Sequence, residues 1–171
     1  MNIGITEVTT QQFIWGLEQL KNILSKAQGF AETKKIDMSV LFNTRLIADQ
    51  FPLSRQIQIT CDTAKMFVGR LTNLEVPSFK DEETTLEEFM KRIDNTIAVL
   101  EKVKPEHFSG YESKKITSSF KPGMVMDGKT YLIQHAIPNF NFHFTTAYSI
   151  LRSNGVDIGK NDYLGPIWKQ G

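Results

Sequence analysis

The chain has almost no cysteine: Cys61 stands alone among 171 residues. One thiol closes no internal disulfide and supplies no thiolate metal cluster, so the fold must rest on its apolar core. Net charge is nearly absent as well. Lys and Arg number 20 and Asp and Glu 19, which leaves +1. With no basic stripe and no charge excess, nucleic acid and anionic membrane surfaces are poor partners. No segment approaches the roughly eighteen uncharged apolar residues that span a bilayer. The opening MNIGITEVTT lacks the basic stretch and apolar run of a secretory signal, so a soluble cytoplasmic protein is the expectation. Histidine is scarce, with only His107, His135 and His143.

Phenylalanine is plentiful, with 12 residues, and argues for a packed interior. The apolar residues fall into four seams at alternating steps of three and four, the spacing of one helix face. Phe13, Leu17, Leu20, Leu24, Ala27 and Ala31 form the first, opened by a capping box of Thr9 with Gln12 and running to about Lys34. Gly29 interrupts it without ending it, and Trp15 falls off the seam, outward or against another element. Asp37 caps a short helical turn, and Pro52 suits the start of the next helix. Ile57, Cys61, Ala64, Val68 and Leu71 form the second seam, ending near Asn73; Cys61 reads as a small buried apolar residue. A linker, EVPSFKDEE, leads to a capping box of Thr84 with Glu87 or Thr85 with Glu88. The third seam, Leu86 to Val103, stops before Pro105.

From Gly110 to about Gln134 the period changes. Asp127-Gly128 is a two-residue hairpin signal followed by KTYLIQH, which predicts a small hairpin laid beside the helices. The last seam, Phe140, Phe144, Ala147 and Leu151, predicts a helix from Pro138 that Asn154-Gly155 stops. Four seams with long connections predict an all-α four-helix bundle with a crossover, in one domain of residues 1–171, and with the hairpin inserted before the last helix. Tyr163 and Trp168 predict a tail that packs on the bundle.

NTRLIADQFPLSRQIQITCDTAK, the acidic linker and PNFNFHFTTAYSILRSNGVDIGKNDYLG resemble a family known as domain of unknown function 1993, placed among DinB-like four-helix bundles. The resemblance covers nearly the whole chain and implies the fold rather than an activity. The wider superfamily includes divalent-metal proteins and thiol-dependent transferases with one histidine on the second helix and a pair one turn apart on the last. Here the second helix has no histidine, and the position one turn after His143 is Ala147. A metal needs three or four convergent ligands, so neither a metal nor another cofactor is expected.

Candidate binding residues follow from polar groups beside the seams. His143 is a base or ligand contact in an interhelical pocket, or a core-edge histidine held by Asn139 or a backbone carbonyl. Arg45, Asp49 and Gln56 gather near the turn into the second helix, where Arg45 either grips an anion or pairs with Asp49. Tyr148 and Arg152 share a flank of the last helix; Arg152 binds an anion or pairs with Asp157 or Asp162. GVDIGKN is too short for a phosphate loop and follows a helix. Phe120, Met124 and Met126 form an apolar hairpin surface, outward or packed inward, and a homodimer is the expected assembly. The leading expectation is a non-metal bundle that binds a small molecule, whether or not it is an enzyme. The alternatives are a divalent-metal-dependent hydrolase or thiol transferase, and a non-catalytic dimeric structural or regulatory protein.

Overall fold

The computed structural model describes residues 4–117 and 122–167. Phe120 and Trp168 therefore lie outside the described residues. Four long helices make the bundle: α2 (Thr10–Lys34), α4 (Leu53–Leu71), α5 (Leu86–Leu100) and α7 (Ile137–Ser153). Short helices α1 (Ile5–Val8) and α3 (Met38–Asn43) pack at their ends, and α8 (Lys160–Leu164) lies along α2 and α7. Every predicted seam residue from Phe13 to Ala31, from Ile57 to Leu71 and from Phe140 to Leu151 is buried in one continuous core. No described helix is long and apolar enough to cross a membrane.

Side-chain contacts fix the helix directions. Phe13 meets Phe140, and Phe30 lies beside Gly155, so α2 and α7 run parallel. Asn139 pairs with Thr63 while His143 pairs with Gln56, so α7 runs against α4. The start of α5 adjoins the end of α2, because Thr85 and Leu86 share a cleft with Ala31 and Glu32; these two helices are antiparallel. Hence α4 and α5 both point the other way from α2 and α7. Two consecutive parallel helices need a connection that returns the length of the bundle, and residues 72–85 supply that crossover strap.

The caps explain most of the boundaries. Asp37 accepts from the Ser39 backbone N–H (2.7 Å) and starts α3. Thr85, rather than Thr84, caps α5: its hydroxyl accepts from Glu88 N (3.3 Å) and the Glu88 carboxylate accepts from Thr85 N (3.0 Å). The two backbone N–H groups of Thr84 and Thr85 hold the Glu88 carboxyl below its ordinary range. After α7, Gly155 takes φ 92°, its N–H bonds Arg152, and Val156 N bonds the Leu151 carbonyl. That is a glycine-closed Schellman end, with Val156 and Leu151 both buried. Thr9 departs from expectation. Its hydroxyl donates to the Ile5 carbonyl instead of capping α2, because α1 runs directly into it.

The hairpin is present but shifted. Strands β1 (Lys115–Thr117) and β2 (Val125–Asp127) pair antiparallel with Ile116 opposite Met126. Asp127-Gly128 is not its turn. The Asp127 carboxylate accepts from Thr130 N (2.7 Å) and opens a helix. Residues Gly128–Thr130 form α6, and Tyr131–Ala136 a π-helical segment that leads without a break into α7. The last helix thus begins ten residues before Pro138, and KTYLIQH, His135 included, is helical. Met126 packs on the core, whereas Met124 and Val125 face outward.

Candidate functional site

Two places on α7 hold the chemistry, one on each side of the helix. Toward α4, His143 is 9% exposed and its Nδ1 lies 2.7 Å from Gln56 Oε1. Gln56 is fully buried, and its Nε2 donates to the Phe51 carbonyl at 3.0 Å. A carbonyl only accepts, so that contact fixes the amide: Oε1 faces the imidazole, and Nδ1 must carry the proton. Nε2 of His143 is left as the acceptor nitrogen. One turn earlier, Asn139 Nδ2 donates to Thr63 Oγ1 (2.7 Å), which in turn donates to the Ile59 carbonyl. The partner of His143 is therefore neither Asn139 nor a backbone carbonyl. Gln56 leaves the turn where the sequence placed it and reaches across to α7.

Burial, and secondarily the charge of Arg55, lowers the His143 pKa from 6.5 to about 4. The ring is neutral at pH 7 and lies about three units below the range that suits a general base. A stability effect follows. The folded ring takes its proton near pH 4 and the unfolded ring near 6.5, so the unfolded state binds more protons between those values, and stability falls as pH drops through that window. Urea unfolding at pH 7 and pH 4 should show that wild type loses about 2–3 kcal/mol more on acidification than His143→Gln. Equal losses would place the ring in solvent.

The other expected residues do not join this pair. Arg45 and Asp49 are exposed, and among the described residues no ion pair joins them; the Arg45 guanidinium instead donates to the Gln50 carbonyl. Arg152 lies 3.7 Å from Asp157 with both side chains exposed, and Asp162 is held by Lys26 (2.6 Å). Tyr148 is half-buried, edge-on to Tyr163 at 6.0 Å. None of the seven expected residues lines a principal cleft of the described surface.

A divalent metal does not fit at His143. Nδ1 is taken by Gln56, Asn139 is engaged by Thr63, and Ala147 offers no donor. Among the described residues no group of three or more His, Cys, Asp or Glu side chains is placed to hold a metal ion. Cys61 is buried against Thr96, and its thiol is pushed up to about 12, chiefly by burial. Arg92 is near enough to favour a thiolate, but desolvation outweighs it, so the thiol is inert.

The second place faces α2. A groove of ≈ 490 Å³ runs between α2 and α7 and is closed at one end by α8. Phe13, Phe140 and Phe144 form its floor, and Trp15 and Tyr163 its walls. Tyr163 stacks on Phe144 at 4.2 Å and 15°, and its hydroxyl accepts from Thr145 (3.0 Å). Trp15 Nε1 donates to the Leu164 carbonyl at 2.7 Å, which ties α8 to α2. Gly16 keeps the two long helices close, since a Cβ there would lie 2.8 Å from the Phe140 ring. Sequence periodicity passes over this groove because its walls lie off the seams. Trp15 and Tyr163 are the signals that point to it.

Residues 5–164 match the family described as domain of unknown function (DUF1993). The chain belongs to that family. Similarity to a solved structure agrees: a DinB family member from Shewanella denitrificans is 46% identical, with a TM-score of 0.92 over 98% of this chain and 95% of that one. No curated protein matches the chain. The DinB-like bundle of this DUF1993 member thus carries a fastened Gln56–His143 pair on one flank of α7 and an aromatic groove on the opposite flank.

Proposed function

We propose that the protein binds a small molecule in the groove between α2 and α7, without a histidine-bound metal. The observation that carries this reading is the groove itself, concave and lined by five aromatic rings. Its ≈ 490 Å³ falls within the roughly 300–1,000 Å³ of sites that enclose drug-sized ligands. Among the described lining residues Tyr163 is the sole titratable side chain, and it is occupied by Thr145. A site with no poised acid, base or nucleophile suits recognition better than turnover. His143 and Gln56 serve this reading from behind, by locking α7 against α4 so that its other face stays in register with α2.

A metabolite-like library screened by ¹H–¹⁵N NMR tests it. Bound compounds should shift the Trp15 indole N–H and the amides of residues 12–16 and 140–144. Asn141→Trp, at an exposed position on the groove's rim, should fill the site and weaken the hits about tenfold or more, with a Tm within about 2 °C of wild type. Hits that leave the Trp15 indole unmoved, or that bind Asn141→Trp unchanged, would remove this function.

A further inference from the structure

We infer that the groove selects an uncharged, planar aromatic ligand carrying a hydrogen-bonding group at one edge; this deepens the proposed function and rests on it. Charge decides the first part. Among the described residues no Asp, Glu, Lys, Arg or His lines the groove. An ion entering it would lose its water and meet no counter-charge, and that loss is large. Trp15 spends its one donor on the Leu164 carbonyl, and the Tyr163 hydroxyl accepts from Thr145 of α7. Trp15 therefore offers the cavity ring surface rather than a donor, and Tyr163 lays its ring on Phe144.

Shape decides the second part. Rings on the floor and both walls favour stacked and edge-on contacts with another ring, which add to simple area burial. A rigid ring also gives up little internal freedom on binding, whereas a flexible alkyl chain of equal area gives up several rotors. The edge group follows from Gln12 and Asn141. Both line the groove, both are exposed, and among the described residues neither side-chain amide makes a hydrogen bond. Each amide offers donors and an acceptor, so each can bind a neutral hydroxyl, carbonyl or N–H on the ligand edge.

Three probes of similar apolar content separate the classes: 2-naphthol, 2-naphthoate and 1-decanol, titrated against the whole chain with the Trp15 indole N–H as reporter. The expected result is that 2-naphthol binds about tenfold or more tightly than either of the others. Asn141→Lys, a change at an exposed rim position, should shift the naphthol-to-naphthoate preference about tenfold toward the anion. Equal or tighter binding of 2-naphthoate overturns the neutral class, and tighter binding of 1-decanol overturns the aromatic class. An unchanged preference in Asn141→Lys overturns the placement. If none of the three moves Trp15 while library hits do, the ligand class falls and the binding function stands. If library hits also fail to move it, both fall.

Discussion

Arg92→Met should destabilise the fold by about 3–5 kcal/mol, because it removes the buried centre of an ionic cluster and leaves three partly exposed carboxylates uncompensated. The Arg92 side chain is 1% exposed on α5. Its guanidinium lies 2.9 Å from Asp62, 3.0 Å from Asp81 and 2.8 Å from Glu83, and it donates to the Lys80 carbonyl at 3.0 Å. Its Nε is buried and, among the described residues, unpartnered, so the site already tolerates one unmet donor. Phe79 is flanked by two cations, Arg92 at 5.4 Å and Lys65 at 4.1 Å from its ring centre. These contacts pin the strap that carries the chain back between two parallel helices. Methionine would fill much of the volume but leave Asp62, Asp81 and Glu83 facing one another without the central charge. Lysine would restore the charge but not the fork that reaches three carboxylates, and should recover only part of the loss.

The measurement is thermal and chemical unfolding, with a Tm drop of roughly 10–15 °C for a chain of this size. Amide exchange should quicken in residues 78–83 while α7 stays protected. Arg55→Met is the contrast. Arg55 also pairs with Asp81, but its side chain is 37% exposed and its partner's 40%. Such a surface pair is worth about 1 kcal/mol or less. Equal effects of the two substitutions would show that Arg92 does not hold the strap.

The bundle is legible in the sequence because helix periodicity is a long-range signal. Each seam repeats its spacing over several turns, and burial of Leu17, Ala64 or Phe144 is what that repetition means. Arg92 gives no such signal: an arginine beside a seam looks the same whether it faces water or three carboxylates brought by a strap. Gln56 stands out in the sequence, but beside the wrong partners, since its neighbours there are Arg45 and Asp49, whereas its neighbour in space is 87 positions away. The groove's walls come from α2, α7 and α8, so no single window contains it. The hairpin's place is obscured for a different reason. Asp-Gly is as good an opening for a helix capped by aspartate as for a two-residue turn, and nothing local separates the two.

What settles Asp127-Gly128 is steric, and it supplies a sharp test. Gly128→Ala should destabilise the protein by about 3 kcal/mol, against the helix propensity that would favour alanine by about 1 kcal/mol. A Cβ at Gly128 would lie 1.9 Å from the Tyr111 carbonyl oxygen and 3.0 Å from Leu71 Cδ2. The first neighbour is backbone and cannot swing aside as a side-chain tip does. Either the 3₁₀ turn at Tyr111–Ser113 moves or the entry of the last helix does. Both lie against the end of α4, so the shift would be felt in the core. Gly29→Ala makes the comparison decisive. Gly29 sits exposed on α2, and a Cβ there meets nothing within 4 Å. Propensity then acts alone and should stabilise by about 1 kcal/mol. The same substitution at two helical glycines should therefore move the urea midpoint in opposite directions. Stabilisation by Gly128→Ala would mean that the chain around Tyr111 does not approach the start of the last helix.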